Sequence, residues 1–311
     1  MAKYVPKHRR QPPKRRRVLG VGLAVLACSS VAATTAPVAA GGISAASHPR
    51  MVVASTTTTT TVPAATDVAG PNPFTSPAIA RFLATRTNVV SAAVCDLSTG
   101  TLSQYHPGLR QFTASMVKLD ILLELLVGAE QRHEQVPAAT LRLARSMITT
   151  SDNDAATALF NALGGPTALD AFNARLGLTS TTSQWNWGAT LTTPADQIAL
   201  LRLVVLPNTV LSTSTRDLAM SLLEGVVPAQ RFGIGSGPPA GSAVGLKDGW
   251  FPEVATGWQI NSAGFVLLGN TWYLAAIQTG HNPSKQYGLD TVNTLGRLLW
   301  RYERFGKYRL H

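Results

Sequence analysis

The chain has 311 residues, 45% of them hydrophobic, and a formal net charge of +11. Nine of the 27 lysines and arginines precede the first acidic residue, Asp67, and the remainder of the chain carries 18 basic against 16 acidic residues. This near balance gives no case for nucleic-acid binding by the folded part, and the length suffices for a large buried core.

Residues 1–40 have the pattern of an export signal. A basic segment through Arg17 precedes an apolar stretch, Val18–Ala27, and small residues follow. The apolar stretch is much shorter than the roughly 20 residues that span a bilayer, so we expect cleavage at the end of this segment rather than a transmembrane helix. Arg15-Arg16 also fits twin-arginine export, and Cys28 offers lipidation as an alternative.

Residues 41–73 are rich in Thr, Ala, Ser and Pro, which predicts a disordered linker. One folded domain is then expected over residues 74–311. With the leader removed, Cys95 is the single cysteine, and its place in an apolar strand pattern predicts a buried, inert thiol. The histidines have no metal-ligand spacing, so we expect neither a metal nor another cofactor.

The first elements of the folded domain are a helix and a hairpin. The helix is predicted over Pro77–Arg86, and the hairpin joins two β-branched runs, Val89–Leu97 and Thr101–Tyr105, across a glycine turn. Caps, stops and apolar runs predict further helices: Leu119–Val127, Ala138–Thr149, a helix after Asn153 that stops at Gly164-Gly165, one from Pro166 capped by Gly165, one from Pro194 capped by Thr193, and one from Ser214.

Three strand-like runs follow, and a last helix carries a stripe of Leu and Val. The runs are Gly245–Lys247 and onward, Trp258–Leu268 and Trp272–Thr279. Strands at both ends of the domain with helices between them predict an α+β fold. Its sheet would be mostly antiparallel and built from both termini, with helices on its faces and an all-helical lobe inserted.

Ser115-Met-Val-Lys118 is the single Ser-x-x-Lys of the chain and begins the predicted helix Leu119–Val127. Residues three apart on a helix lie one turn apart on the same face, so these two side chains can meet. An amine with a lowered pKa can take the proton of a serine hydroxyl, and a helix N-terminus favours a developing anion. Alone, the pattern equally fits a capped helix with a surface lysine.

Two further motifs follow in the chain, Ser151-Asp152-Asn153 and Lys247-Asp248-Gly249. With these second and third motifs in order after the first, the chain resembles the penicillin-recognising serine hydrolases, which include class A β-lactamases and D-alanyl-D-alanine peptidases. The resemblance runs from about residue 75 to the end. Four segments also resemble the family in the same order: Phe112–Lys118, Met147–Asn153, Ala162–Gly165 and Thr192–Ala195.

The first two motifs would supply the nucleophile and its proton relay. Ser115 would attack an amide-like carbonyl, and Lys118 would receive its proton directly or through water. Ser151 could pass a proton to the leaving nitrogen, and Asn153 could hold Lys118 and the amide side chain of the substrate. The structural alternative is that Ser151 and Asn153 only cap a helix.

The third motif would supply positive charge and an oxyanion site. Lys247 would attract a substrate carboxylate, although it could also be a solvated lysine. Gly249 lets the strand backbone approach a ligand closely. The backbone N–H groups of Ser115 and Trp250 would then form the oxyanion hole.

Two features depart from the family pattern. Class A β-lactamases resemble one another in a glutamate that activates the deacylating water, but residues 171–195 include no Asp or Glu. Gln184 and Asn186 stand in that region, and neither can act as a base. Asp248 replaces the usual Thr or Ser, and its charge would weaken carboxylate binding unless the side chain points away.

These residues predict a secreted serine acyl-enzyme hydrolase that acts on β-lactams, on D-Ala-D-Ala cell-wall peptides, or on both, with slow deacylation. Its expected partners are these small molecules, with no nucleic acid, and a membrane only through an uncleaved or lipidated leader. We expect an exported monomer, extracellular or associated with the cell envelope. The alternative is a non-catalytic cell-wall-binding module that keeps the fold.

Overall fold

The computed structural model describes residues 71–303. The predicted export signal, Cys28 and nearly all of the predicted linker lie outside these residues. Within the described range, no helix is long and apolar enough to cross a membrane. In the same range, no group of three or more His, Cys, Asp or Glu side chains could hold a metal ion.

The described residues form eight α-helices and seven β-strands. The helices are α1 (Pro77–Ala84), α2 (Lys118–Gln131), α3 (Ala138–Thr149), α4 (Asn153–Leu163), α5 (Gly165–Arg175), α6 (Pro194–Val205), α7 (Thr213–Glu224) and α8 (Lys285–Arg301). The strands are β1 (Val89–Asp96), β2 (Leu102–Tyr105), β3 (Gln111–Phe112), β4 (Leu191–Thr192), β5 (Val244–Glu253), β6 (Gly257–Leu268) and β7 (Thr271–Asn282).

Five strands form one antiparallel sheet in the order β2-β1-β7-β6-β5. Strand β1 pairs with β7 over its full length, from Val89 opposite Gly280 to Asp96 opposite Tyr273. Strands from both ends of the domain are thus neighbours, and β5 is an edge strand. The short strands β3 and β4 pair with each other separately. The predicted α+β fold with a sheet built from both termini is confirmed.

The sheet separates two hydrophobic cores, because side chains of a strand alternate between its faces. In β1, Val90 and Val94 pack in one core with residues of α1 and α8. Ala93 and Cys95 pack in the other core with the lobe formed by α2 to α7. Cys95 is fully buried and free, so its predicted burial is confirmed.

Helix α1 ends two residues earlier than predicted, and α2 runs four residues further than predicted. Thr193 caps α6 as predicted, since its hydroxyl accepts from the Asp196 N–H at 3.3 Å. Gly164, with φ 108°, both ends α4 and caps α5, so Gly165 is the first residue of α5 rather than its cap. Helix α7 begins at Thr213, one residue before its predicted start at Ser214, and Ser212 caps it.

Candidate active site

Ser115 lies where a short 3-10 turn, Ala114–Val117, runs into α2. Ala114 has φ 51°, a left-handed conformation that costs a residue with a side chain roughly 1–2 kcal/mol. The bend leaves Ser115 partly exposed at the start of the helix. This is the place that the sequence predicts for Ser115, and its role as nucleophile stays a prediction.

Hydrogen bonds from two directions hold this bend. The N–H of Thr113 donates to the carbonyl of Thr190 at 2.8 Å, next to the β3–β4 pair. The amide of Asn261, on β6, donates to the carbonyls of Phe112 at 2.6 Å and Thr113 at 3.2 Å. Because Asn261 is fully buried, these bonds attach the bend to the interior of the five-stranded sheet.

The hydroxyl of Ser151 is where two lysines meet. Lys118 Nζ donates to Ser151 Oγ at 3.1 Å and to the Ser151 carbonyl at 2.7 Å, and Lys247 Nζ reaches the same Oγ at 3.1 Å. Asn153 Oδ1 accepts a further bond from Lys118, at 2.7 Å. Both lysines are fully buried. The structure therefore brings together residues from all three motifs.

Lys118 is not hydrogen-bonded to the serine that it was expected to serve. Across residues 71–303, the hydrogen bonds of its amine go to Ser151 and Asn153 and none goes to Ser115. An ammonium group has three hydrogens, and these three acceptors occupy all of them. Accepting a proton from Ser115 therefore requires the neutral amine, which gives up one of these bonds and presents its lone pair.

Burial lowers the pKa of both lysines. The pKa of Lys118 falls to about 7, because burial disfavours its charged form and Lys247 repels it, while Asp152 opposes the shift. The pKa of Lys247 falls to about 8, again through burial, and the charge of Asp248 opposes this. Lys118 consequently has a substantial neutral fraction at neutral pH, as a general base needs.

Gly249 lies directly against the backbone of the segment that carries Ser115. A Cβ atom on Gly249 would come within 2.6 Å of Ser115 N, 2.8 Å of Met116 N and 2.9 Å of the Thr113 carbonyl oxygen. Only glycine permits this approach of β5 to the helix start. The peptide groups of Ser115 and Trp250, expected as oxyanion donors, are therefore on neighbouring segments.

The carboxylate of Asp248 lies on the opposite face of β5 from the lysine amines. It accepts a hydrogen bond from the Phe232 N–H at 2.6 Å and interacts with the Ser262 hydroxyl. Burial raises the pKa of Asp248 to about 7, and these donors and the charge of Lys247 act against the rise. Because the side chain points away from Lys247 Nζ, it would not repel a carboxylate that bound to Lys247.

One residue beside Lys118, Trp187, was not predicted from the sequence. The centre of its ring lies 4.9 Å from Lys118 Nζ. Gln184 and Asn186, which the sequence places in this region, are both exposed. The sequence offered one signal, two tryptophans that stand two residues apart in this region. In the structure, Trp185 is 74% exposed, whereas Trp187 is half-buried.

Solved structures that share this fold include class A β-lactamases. An ancestral class A β-lactamase (GNCA) matches with a TM-score of 0.64 and 24% identity, over 72% of this chain and 98% of that chain. A class A β-lactamase from Bacteroides cellulosilyticus matches with a TM-score of 0.66 and 16% identity, over 76% and 99%. The architecture is therefore that of the class A β-lactamases.

The chain belongs to the beta-lactamase enzyme family. The sequence pattern of this family matches residues 133–302, which are more than half of the chain. The second and third motifs lie inside this segment, whereas Ser115 and Lys118 precede it. The putative lipoprotein LppW of Mycobacterium tuberculosis is 29% identical over 185 residues, 57% of this chain. The match covers 59% of that relative's length, and the protein of the same name in Mycobacterium bovis matches equally.

Proposed function

We propose that the protein is a secreted serine hydrolase that forms an acyl-enzyme with β-lactams, with D-Ala-D-Ala cell-wall peptides, or with both. The observation that carries this proposal is the Ser151 hydroxyl, which receives hydrogen bonds from two buried lysines. One of them, Lys118, lies one turn along the helix from Ser115. Membership of the beta-lactamase enzyme family supports amide hydrolysis as the reaction class.

Acylation begins with attack of Ser115 Oγ on the carbonyl carbon of an amide or lactam. The hydroxyl proton moves to the neutral amine of Lys118, and a pKa of about 7 keeps roughly half of that amine neutral at pH 7. The carbonyl oxygen then carries a negative charge. The N–H groups of Ser115 and Trp250 and the N-terminus of α2 would stabilise this charge.

Collapse of the intermediate breaks the C–N bond, and the departing nitrogen takes a proton. Lys118, now charged, donates to Ser151 Oγ while Ser151 passes its own proton to the nitrogen, which the bond of 3.1 Å between Lys118 and Ser151 supports. Lys247, on the same hydroxyl, contributes a positive charge for the substrate carboxylate. Asn153 keeps Lys118 in position. The product is an ester on Ser115.

Hydrolysis of this ester is expected to be slow. Residues 171–195 provide no carboxylate that could activate water. A general base contributes typically about 10²- to 10⁴-fold, so its loss delays release of the acyl group by a comparable factor. These considerations favour a cell-wall peptidase or a slow penicillin-binding hydrolase over a fast β-lactamase.

The proposed location is the cell envelope or its exterior, and the proposed state is a monomer. The basic and apolar leader supports export. The similar protein LppW is described as a putative lipoprotein, which supports an envelope location and keeps lipidation at Cys28 open. The mass of the mature protein, measured from its native host, distinguishes cleavage near residue 40 from a lipidated Cys28.

A fluorescent penicillin tests the proposal. We expect the wild-type protein to take up one covalent label, seen as the corresponding increase in intact mass, and Ser115→Ala to take up none. Ser221→Ala, which changes an exposed serine on α7, should label as the wild type does. Label on Ser115→Ala, or none on the wild type, contradicts the acyl-enzyme proposal.

Two further measurements distinguish the proposed slow hydrolase from a fast β-lactamase and from a non-catalytic module. Fast multiple turnover of a chromogenic cephalosporin would contradict slow deacylation, while a single burst of product supports it. Absence of label combined with retention on purified peptidoglycan would instead favour the non-catalytic wall-binding module.

A further inference from the structure

The amine of Lys118 is enclosed on every side. Its three hydrogen bonds, to the Ser151 carbonyl, Ser151 Oγ and Asn153 Oδ1, are 2.7–3.1 Å long. The ring of Trp187 lies beside it, with its centre 4.9 Å from Nζ. Lys118 itself is fully buried, whereas Trp187 is half-buried, so a partly exposed indole packs beside a buried amine.

Trp187 is held in place through its side chain and through the residue that follows it in the chain. Its Nε1–H donates to Thr157 Oγ1 on α4 at 3.1 Å, which fixes the rotation of the ring. The residue after it, Gly188, faces the nucleophile segment: a Cβ there would lie 3.9 Å from the Ala114 Cα. Trp187 therefore bridges the helical lobe and the bend that carries the nucleophile.

Hydrolysis of an ester on Ser115 needs a water molecule and a base close to the carbonyl carbon. Residues 171–195 carry no carboxylate, and the neutral amines of Lys118 and Lys247 are groups of this site that can accept a proton. A water molecule needs a volume of about 30 Å³ beside such a base. The ring of Trp187, with its centre 4.9 Å from Lys118 Nζ, occupies space beside this amine that a water molecule would otherwise need.

We propose that Trp187 is a positioning residue that shields Lys118 from water and thereby sets the lifetime of the acyl-enzyme. This inference rests on the proposed acylation of Ser115. With the indole removed, water reaches Lys118: its oxygen attacks the ester carbon and one proton passes to the amine. The bond from the carbonyl carbon to Ser115 Oγ then breaks, Oγ takes the proton back from Lys118, and the acyl group leaves as a carboxylic acid.

The test uses Trp187→Ala, with Trp185→Ala as the matched control because Trp185 is 74% exposed. Each protein is acylated with the fluorescent penicillin, freed of excess reagent, and followed by intact mass from about pH 6 to pH 9. We expect the limiting rate of label loss in Trp187→Ala to exceed the wild-type rate at least about tenfold, as general-base catalysis by an exposed amine allows. Trp185→Ala should lose label at the wild-type rate.

Two milder variants separate shielding from general damage to the fold. Thr157→Val removes the hydrogen bond to the indole and should accelerate label loss to an intermediate degree. Trp187→Phe keeps an aromatic ring over Lys118 and should largely restore the wild-type lifetime. Equal lifetimes in the wild type and Trp187→Ala, or equal acceleration by Trp187→Phe and Trp187→Ala, would overturn the inference.

The titration of Lys118 provides a readout that does not depend on acylation. Burial is the main cause of its lowered pKa, so exposure in Trp187→Ala should raise the pKa above about 7. NMR of the lysine ¹³Cε, assigned with Lys118→Arg, follows this titration in the free protein. An unchanged midpoint overturns the shielding role even if no penicillin binds, whereas an unlabelled wild type with a shifted midpoint overturns the proposed function alone.

Discussion

The lysine pair predicts a bell-shaped pH dependence for acylation. In the proposed mechanism, attack requires the neutral form of Lys118, and binding of a substrate carboxylate requires the charged form of Lys247. With pKa values of about 7 and about 8, the fraction of protein with both forms is greatest near pH 7.5. That fraction is lower by about sixfold near pH 6, where Lys118 is protonated, and near pH 9, where Lys247 is neutral.

Two isosteric variants assign the limbs of the profile. Asp152 raises the pKa of Lys118, so Asp152→Asn should move the acid limb to lower pH and increase the rate near pH 6. Asparagine can still cap α4, which the Asp152 carboxylate now does. Asp248 raises the pKa of Lys247, so Asp248→Asn should move the alkaline limb to lower pH and decrease the rate near pH 9.

The assay is the second-order rate of labelling by the fluorescent penicillin, at constant ionic strength from about pH 5.5 to pH 9.5. Because both amines bond to one hydroxyl, the two midpoints belong to the pair, and the variants are needed to assign them. A rate that still rises at the highest pH would refute the need for a charged Lys247. An acid limb that Asp152→Asn leaves in place would refute Lys118 as the base.

Two other predictions concern the helix start. Gly249→Ala puts a Cβ atom 2.6 Å from Ser115 N, so it should slow labelling about 100-fold and lower the free energy of unfolding by about 1–3 kcal/mol. The control is Gly108→Ala, whose Cβ would have nothing within 4 Å and which should change neither quantity. Labelling of Gly249→Ala at the wild-type rate would contradict the close approach. Burial raises the pKa of Asp120, on α2, from 3.8 to about 8, so the wild type loses stability as the pH rises between those values. In urea unfolding, the free energy of unfolding of Asp120→Asn should increase relative to that of the wild type by up to about 1.4 kcal/mol for each pH unit in this range. An equal stability difference at pH 5 and pH 8 would contradict the second prediction.

Features with a local cause could be predicted from the sequence. Helix α3 has the predicted bounds, Ala138–Thr149, because apolar periodicity and chain breaks define it without help from other elements. Gly164 ends α4 because it adopts φ 108°, which residues with a side chain rarely adopt. The three motifs lie at helix starts and on a strand for equally local reasons, so the sequence identifies their residues without the distances between them.

Features that depend on packing between distant segments could not be predicted. Nothing near Trp187 in the sequence indicates that its ring, rather than that of Trp185, turns towards Lys118. The same holds for the amine of Lys118, whose three acceptors belong to residues more than 30 positions away along the chain. For Asp248, strand alternation allowed either outcome until the Phe232 N–H identified the face on which the carboxylate lies.

The groups proposed for acylation and for deacylation lie on different parts of the fold. The acylating groups are on α2, on the turn before α4 and on β5, all joined by hydrogen bonds through Ser151 and by the close contact at Gly249. The connection between α5 and β4, residues 176–190, contains no Asp or Glu. It carries Trp187, whose ring lies beside Lys118. A change in that connection can therefore alter the fate of the ester while the acylating groups keep their positions. In the proposed mechanism, residues 176–190 would thus set the lifetime of the acyl-enzyme, and the three motifs would set the reactivity of Ser115.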